Sequence, residues 1–369
     1  MEQKTIPIAE PLLGQKEIDY VTECIKTNWI SSKGEYVTKF EQQFSKYCQT
    51  NYGVAVANGT VALHLALLAL DIKKGDEVII PDFTFAATIN SILYTGATPV
   101  LVDVEQNTGN IDINKIKEKI TSKTKAIMPV HIYGHPCKID EIKDLCVSRN
   151  LFLIEDCAEA HGAEYKKKKV GSFSDIACFS FFGNKIITTG EGGMCITNNK
   201  ELAEKMRVLK DHGMSKNKRY WHEIIGYNYR LTNIQAAIGV AQLENIDKFI
   251  EIRRRNAKQY NSLLQDINGI TLQKEEKYAR HVYWMYSILL NENTRLSRAE
   301  LMQKLKSAGI DTREFFYPIH VMPPYKQFAV EKYPVTDYIS QKGMNLPSSS
   351  RLSKDDISYI CEKIKEIMK

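Results

Sequence analysis

The sequence predicts an α/β fold with a mostly parallel sheet in a large domain, followed by a smaller α+β domain. Short apolar runs alternate with helical patterns up to about residue 200, and such alternation is typical of βαβ units. Beyond about residue 250 the pattern changes to isolated strand-like runs between capped helices. Because 369 residues suffice for two or three domains, we predict a larger domain over 1–250, which includes an N-terminal arm, and a smaller one over 251–369.

Seven strands and three helical patterns are predicted up to residue 264. The strand candidates are residues 54–58, 77–81, 98–104, 125–131, 151–157, 176–182 and 193–197. A helical pattern over 60–70 is apolar on almost every face, which predicts a buried helix. Another lies near 88–94, and a single long helix is predicted over 233–264. Ligands of parallel sheets bind beyond the carboxyl ends of the strands, so the residues that follow each strand are the candidates for function.

The smaller domain is predicted from strand-like runs over 281–290 and 311–317 and from two capping boxes. Ser297 and Glu300 have the spacing of a capping box and open a helix that stops near Gly309. Ser353 and Asp356 open the last helix in the same way. Isoleucines recur along that last helix at helical spacing, which predicts that one face packs on the domain.

Charge and cysteine content narrow the class of protein. The chain has 50 Lys and Arg against 44 Asp and Glu, for a net charge of +6. Because these charges mingle along the whole chain, the surplus fits a small acidic ligand as well as it fits nucleic acid, and charge alone does not decide between them. We expect no nucleic-acid partner. No apolar run approaches the roughly 20 residues of a membrane span, and no apolar signal segment opens the sequence. None of the eight cysteines forms a C-x-x-C pair, so we expect a reduced cytoplasmic protein without a membrane partner.

Lys185 is the first candidate for chemistry. It follows the predicted strand 176–182 and a Gly-Asn turn, and it precedes a glycine-rich stretch. Desolvation after a buried strand would lower the pKa of the lysine and make its amine a usable nucleophile. On this segment alone, an ordinary surface turn is an equally good interpretation.

Two further segments follow predicted strands. Asp156 ends the run over 151–157, where its carboxylate could hold a protonated ring nitrogen. Gly59 and Thr60 stand between a strand and the buried helix, where backbone N–H groups form phosphate sites. Taken singly, either segment is more readily interpreted as the N-cap of a helix.

Together these segments supply a phosphate cradle, a carboxylate and a lysine at one edge of a sheet, which is the set that pyridoxal phosphate (PLP) requires. Ser180, five residues before Lys185, adds a hydroxyl donor for the phosphate. The sequence therefore predicts a PLP site.

The chain resembles the DegT/DnrJ/EryC1/StrS family of sugar aminotransferases over nearly its whole length. The segments that carry the resemblance include Asn58-Gly-Thr-x-Ala-Leu, Pro81-x-Phe-Thr-Phe-x-Ala-Thr88, His131-x-Tyr-Gly134, Glu155-Asp-Cys-Ala-Glu-Ala-His-Gly162, Lys185-x-Ile-Thr-Thr-Gly-Glu-Gly-Gly193 and Gly226-Tyr-Asn-Tyr-Arg230. The resemblance implies the type I aminotransferase fold and PLP as cofactor.

The resemblance also implies roles for individual residues. Lys185 would form the internal aldimine, Asp156 would hold the pyridine nitrogen, Phe85 would stack on the ring, and Glu159 would lie near the ring hydroxyl. The phosphate would be bound by Gly59, Thr60, Ser180 and, in the site of the neighbouring subunit, Asn228. The last residue implies a homodimer with shared active sites.

The substrates follow from the resemblance as well. Many members have His-Pro-x before the lysine, whereas this chain has Phe182-Gly-Asn184, together with Glu159 for Gln and Cys157 for Ala. These departures favour members that act at C4 of the sugar. Three further segments carry the resemblance to members that transfer the amino group of glutamate to a GDP-linked 4-keto-6-deoxy sugar, namely Tyr220-Trp221-His222, His281-x-Tyr-Trp-Met-Tyr286 and Phe316-Tyr-Pro-Ile-His320. A UDP- or dTDP-linked 4-keto or 3-keto sugar remains the alternative. The 3-dehydrase branch has His in place of the lysine, so Lys185 argues against it.

Arg230 and His320 are candidates for contact with the nucleotide sugar, although His320 could equally be a packed loop residue. His131, His135 and Cys137 have a spacing that could suggest a metal. No second ligand cluster accompanies them, so we expect no metal.

A non-catalytic sensor with a PLP-like fold and a nicotinamide oxidoreductase are the competing classes. Intact Lys185 and Asp156 disfavour the first, and the lack of a G-x-G-x-x-G fingerprint weakens the second.

Overall fold

The computed structural model describes residues 5–369. The helices are α1 (Gln15–Lys26), α2 (Glu35–Tyr47), α3 (Gly59–Ala69), α4 (Ala86–Tyr94), α5 (Ile113–Lys119), α6 (Ile139–Arg149), α7 (Lys200–Leu209), α8 (Asn233–Leu243), α9 (Ile246–Leu264), α10 (Arg298–Ser307), α11 (Pro334–Lys342) and α12 (Lys354–Met368). The strands are β1 (Tyr52–Val56), β2 (Glu77–Pro81), β3 (Thr98–Val102), β4 (Thr124–Ile127), β5 (Phe152–Asp156), β6 (Glu164–Tyr165), β7 (Lys168–Lys169), β8 (Ile176–Ser180), β9 (Gly193–Thr197), β10 (Ile270–Leu272), β11 (Ala279–Arg280), β12 (Tyr286–Leu290), β13 (Arg313–Glu314) and β14 (Gly343–Leu346).

The large sheet has the order β1-β9-β8-β5-β4-β2-β3. Neighbours from β8 to β3 are parallel, whereas β9 is antiparallel to both β8 and β1. The predicted α/β class with a mostly parallel sheet is therefore confirmed. Strand β9 reverses direction because a connection without a crossover helix joins it to β8, and parallel pairing would need such a crossover.

Predicted strands and observed strands differ mainly at their carboxyl ends. Strands β2 and β9 have the predicted bounds, but β3, β4, β5 and β8 end one to four residues before the predicted limit. The apolar residues beyond these ends leave the sheet and enter loops at its carboxyl edge. This edge is where the candidate residues collect.

Helix α3 is buried along most of its length, as its uniformly apolar sequence predicts. The Asn58 side chain caps it by accepting a hydrogen bond from the N–H of Val61 at 3.0 Å. The prediction of one helix over 233–264 is wrong, because the chain breaks at Glu244 and Asn245 into α8 and α9. The two helices have different packing partners: α8 packs on α1 and α2, and α9 packs on α12.

The smaller sheet has the antiparallel order β10-β12-β14-β13. Both predicted capping boxes are present, at Ser297 and Ser353. The predicted strand 281–290 is regular only in β12, because residues 281–285 leave the sheet and pack on the larger domain, where Val282 N–H donates to the Gly134 carbonyl. The strand over 311–317 shortens to β13.

The boundary at residue 250 falls inside α9, and it stays a prediction. The first described residues pack away from the large sheet: Ile6 pairs with Ile310 and lies in the core of the smaller domain. All eight cysteines are buried and free. Among residues 5–369, no helix combines the length and the apolar character that crossing a membrane requires.

Candidate active site

A cavity of about 540 Å³ opens at the carboxyl edge of the large sheet, where the smaller domain closes over it. Its walls come from β5, β8, the amino end of α3, the loop before α4, and residues 284, 313 and 316 of the smaller domain. Seven residues singled out in the sequence line this one cavity, namely Gly59, Thr60, Phe85, Asp156, Glu159, Ser180 and Lys185. They come from four separate segments of the chain, so the fold brings together what the sequence only suggested.

Lys185 stands in the turn that follows β8, where its N–H donates to the Phe182 carbonyl at 2.9 Å. Its side chain is 11% exposed, and its Nζ lies 4.0 Å from Oε1 of Glu159. The same Nζ lies 3.7 Å from the ring centroid of Trp284. Burial lowers the pKa of Lys185 below its ordinary value, which favours the neutral, nucleophilic amine. The surface-turn alternative does not describe this lysine.

Asp156 ends β5 and is almost fully buried. Its Oδ2 accepts a hydrogen bond from Thr88 Oγ1 at 2.9 Å, and its Oδ1 accepts one from the N–H of Ala158 at 3.1 Å. Burial raises the pKa of Asp156, and these two hydrogen bonds with the positive charge of Lys185 oppose the shift. The carboxylate is thus fixed in orientation at the floor of the cavity.

Glu159 is the second buried carboxylate of the cavity. Its Oε2 accepts a hydrogen bond from the N–H of Tyr133 at 2.7 Å. Burial raises the pKa of Glu159 to about 7, although Lys185 opposes the shift. Glu159 and Lys185 therefore have pKa values displaced in opposite directions, each towards its neutral form. Such a pair can hold or release a proton near neutral pH.

The amino end of α3 forms a cradle with β8. A Cβ added to Gly59 would meet the Cβ of Ser180 at 2.6 Å, so only glycine lets the helix terminus approach the strand this closely. The first N–H groups of α3 and the hydroxyls of Thr60 and Ser180 are thereby presented in the same cavity. This is the arrangement of a phosphate site at a helix amino end.

These residues fit PLP on the geometry alone. The cradle would hold the phosphate, Asp156 would face the ring nitrogen, and Phe85 offers an exposed ring at the cavity wall. Lys185 supplies a buried amine between them. The combination of helix cradle, buried carboxylate and buried lysine has the donor set of a PLP site.

Three of the residues singled out in the sequence do not line the cavity of their own chain. Asn228 pairs with Asp211 in a backbone bridge, and Arg230 forms an ion pair with the same aspartate. The Nδ1 of His320 lies 2.7 Å from Oδ2 of the buried Asp82. His320 therefore connects the loop after β13 to the end of β2. This contact agrees with the interpretation of His320 as a packed loop residue.

Sequence reasoning gave no role to three residues that the fold brings into the cavity. Thr88 orients Asp156, Trp284 lies against Lys185, and Arg313 lines the wall formed by the smaller domain. Among residues 5–369, the Arg313 guanidinium has no hydrogen bond or ion pair. Thr88 and Trp284 lay in segments quoted for the family resemblance, but no local pattern marked Arg313.

A buried group of potential metal ligands lies behind the cavity. It consists of His131, Glu155 and Cys157, with ligand atoms within 4.8 Å of one another, and it differs from the spacing noted in the sequence. Both ring nitrogens of His131 are already used: Nε2 bonds to Glu155, and Nδ1 accepts from the N–H of Cys137. Glu155 also accepts hydrogen bonds from the loop before β8. These contacts account for the group as a structural network, and the absence of a metal stays a prediction.

The fold and the cavity define a PLP-dependent aminotransferase of the type I fold. The chain belongs to the DegT/DnrJ/EryC1/StrS aminotransferase family, whose sequence profile matches residues 11–365. PLP is accordingly its cofactor.

Two curated relatives and one solved structure illustrate the similarity. The chain is 51% identical over 363 residues to the GDP-perosamine synthase of Escherichia coli O157:H7, with 98% of each chain covered. It is 47% identical over 364 residues to the GDP-perosamine synthase of Caulobacter vibrioides, again with 98% of each covered. Helicobacter pylori PseC, an aminotransferase involved in pseudoaminic acid biosynthesis, superposes with a TM-score of 0.94 at 27% identity, covering 99% of each chain.

Proposed function

We propose that this protein transfers the amino group of glutamate to C4 of GDP-4-keto-6-deoxymannose and so produces GDP-perosamine. The observation that carries the proposal is a cavity lined by the residues expected to hold PLP, in a chain 51% and 47% identical to two GDP-perosamine synthases over 98% of each chain. The sequence Phe182-Gly-Asn184 before the lysine adds support, because Gly183 leaves space beside Lys185: a Cβ there would meet nothing closer than 4.0 Å.

The residues of the cavity have distinct parts in this chemistry. PLP, when bound, supplies an electron sink for the carbanion formed at the reacting carbon. Asp156 keeps the ring nitrogen protonated through a charge-assisted hydrogen bond. Lys185, whose amine is buried and has a lowered pKa, acts as the general base and acid that moves a proton at the substrate carbon. Glu159 lies within reach of that amine and balances its charge.

Arg313 is our candidate for the carboxylate of the amino donor. Its guanidinium lines the same cavity as Lys185 and is free of any ion pair in the described chain. A guanidinium binds a carboxylate through two parallel hydrogen bonds, which positions the ligand as well as holding it. The ketosugar has no carboxylate, so this contact would serve only the glutamate half of the reaction.

We also propose a homodimer with shared active sites. Asn228 does not line the cavity of its own chain, and the segment before it carries Tyr220, Trp221 and Ile225 as exposed apolar side chains. An apolar patch of this kind is typical of a protein interface. Across such an interface Asn228 would reach the phosphate held in the neighbouring site. We place the enzyme in the cytoplasm, where free buried thiols persist.

Product analysis separates the substrate alternatives. The enzyme is supplied with glutamate and, in parallel, with GDP-, UDP- and dTDP-linked 4-keto and 3-keto sugars, and kcat/KM and the position of the new amine are determined. We expect the highest kcat/KM with the GDP-linked 4-keto-6-deoxy sugar and a 4-amino product. A higher value with a UDP or dTDP sugar would contradict the nucleotide, and a 3-amino product would contradict the regiochemistry.

A variant of the lysine tests the class of reaction. Lys185→Ala should lose multiple turnover and the visible absorbance band of the yellow, lysine-bound cofactor. Lys205→Ala, which removes a surface lysine paired with Asp71, is the matched control and should keep both. Undiminished turnover by Lys185→Ala would remove the lysine from its catalytic role. No spectral change when glutamate is added to the unmodified enzyme would favour a non-catalytic sensor.

A further inference from the structure

Trp284 contacts the Asn184–Lys185 turn from the smaller domain in two ways. The Nζ of Lys185 lies over its ring, 3.7 Å from the centroid. The indole Nε1–H donates a hydrogen bond to the Asn184 carbonyl at 2.8 Å. Trp284 itself is buried, so neither contact is shared with solvent. One side chain therefore fixes both the backbone that precedes the lysine and the end of the lysine side chain.

The surroundings of Trp284 extend this contact to Glu159. The ring of Trp284 lies 6.1 Å from that of Tyr133, centroid to centroid. The N–H of Tyr133 in turn holds the Glu159 carboxylate, whose Oε1 faces Lys185. The amine thus lies between an aromatic face and a carboxylate that are themselves packed together.

We propose that Trp284 is a positioning residue for Lys185, which supports the free ammonium on its ring face and fixes the turn through its indole N–H. This inference rests on the proposed aminotransferase role of Lys185. The face of an indole attracts a cation electrostatically, and the attraction is stronger where water is excluded. The ring therefore favours the protonated lysine, whereas burial favours the neutral one.

Four other groups act on the same amine. Glu159 and Asp156 raise the pKa of Lys185, whereas Arg313 and burial lower it. The buried, neutral His161 also lies within electrostatic range of the lysine. The variants of Trp284 leave all four groups in place. Because a smaller side chain reduces the burial that lowers the pKa of Lys185, a fall in that pKa reports on the lost attraction of the indole face.

The test measures the pKa of Lys185 in the full-length protein freed of cofactor, from the pH dependence of amine labelling quantified by peptide mass spectrometry. The exposed Lys117 gives the internal reference for labelling. Trp284→Leu should lower the pKa of Lys185 by about one unit, a tenfold change in the protonation ratio. Trp284→Phe keeps an aromatic face and loses the N–H. The pKa of Lys185 should therefore stay close to that of the unmodified protein, whereas kcat should fall with little change in the KM for glutamate.

Trp29→Leu is the control, since that tryptophan is exposed, and it should leave the pKa of Lys185 unchanged. A pKa in Trp284→Leu that is equal to or above that of the unmodified protein would overturn the proposal, as would full kcat in Trp284→Phe. If Trp284→Leu does not fold, the kcat of Trp284→Phe still decides. Because labelling is read without cofactor or substrate, its result is independent of whether GDP-perosamine is the product.

Discussion

Thr88 and Asp156 are joined by a hydrogen bond of 2.9 Å from the threonine Oγ1 to the aspartate Oδ2. Thr88 lies in the first turn of α4 and Asp156 at the end of β5, so the bond links two βα units of the large sheet. Burial raises the pKa of this carboxylate, and the hydrogen bond from Thr88 opposes that shift. The orientation of the carboxylate that would hold the cofactor ring thus depends on a hydroxyl 68 residues away in sequence.

Thr88→Val should lower kcat by roughly tenfold or more, since a hydrogen bond to a charged group contributes about 1.5–3 kcal/mol. Valine has nearly the same shape, so the fold should be retained. Steady-state kinetics with saturating PLP measures the effect. Ser91→Ala, in the same helix and equally buried but bonded only to the Thr88 carbonyl, is the control and should keep its kcat. Equal rates for the two variants would contradict the role of Thr88.

Gly59→Ala should weaken PLP binding by about tenfold or more, because its Cβ would meet Ser180 at 2.6 Å and overpacking costs about 1–3 kcal/mol. Titration of the cofactor-free protein, followed by visible absorbance, gives the dissociation constant. Gly14→Ala is the control, because its Cβ would lie at an ordinary contact distance of 3.7 Å from a carboxylate oxygen of Glu17. Unchanged affinity in Gly59→Ala would argue against a phosphate at this helix end.

Glu159→Gln should change how stability depends on pH. Burial in the folded state raises the pKa of Glu159 to about 7. Between the lower pKa of the unfolded state and about 7, the folded protein therefore keeps a proton that the unfolded chain has released. The stability of the unmodified protein should therefore fall, relative to Glu159→Gln, as the pH rises from about 5 to 7. The lowered pKa of Lys185 acts in the same direction on this difference, because the variant removes the charge that keeps the lysine protonated.

Thermal unfolding of the cofactor-free proteins at several pH values between 5 and 8 measures the difference in Tm. We expect the Tm of Glu159→Gln minus that of the unmodified protein to increase with pH. Glu244→Gln, which alters a carboxylate paired with Lys16 at the surface, serves as the control. A difference that is constant over this range would show that Glu159 is ionised throughout.

Arg313→Gln should impair the reaction with glutamate and spare the reaction with the ketosugar. Loss of a charged contact of about 1.5–3 kcal/mol would raise the KM for glutamate by roughly tenfold or more. Single-turnover absorbance measurements follow each half-reaction separately. Arg351→Gln, which removes an exposed arginine near Glu10, is the control. Equal losses in both half-reactions would assign Arg313 to the nucleotide sugar or to the fold.

Mixed dimers test the sharing of active sites. In a heterodimer of Lys185→Ala and Asn228→Ala subunits, one site carries both substitutions and the other carries neither. After equilibration of equal amounts, about a quarter of the sites should be intact and activity should recover to that level. Each variant incubated alone gives the baseline. A monomer by analytical ultracentrifugation at assay concentration, or no recovery after subunit exchange is verified, would contradict shared sites.

The sequence by itself determined the class of the fold and predicted seven residues that line one cavity. Alternation of strands and helices is a local pattern, and glycine, lysine and aspartate at strand ends are visible without any contact map. Taken singly, the segments of Lys185, Asp156 and Gly59 each allow a structural interpretation, and only their shared position at one sheet edge favours a PLP site. The roles of these residues stay predictions.

Only the tertiary structure decided which distant side chains meet. The break between α8 and α9, the shortening of the strand before Leu290, and the contact of Trp284 with Lys185 all arise where the two domains pack together. Arg313 and His320 illustrate the same limit: Arg313 lines the cavity beside residues of the larger domain, and His320 is held by Asp82. Their partners are far apart in sequence, and packing between domains overrides the local propensities from which a sequence is interpreted.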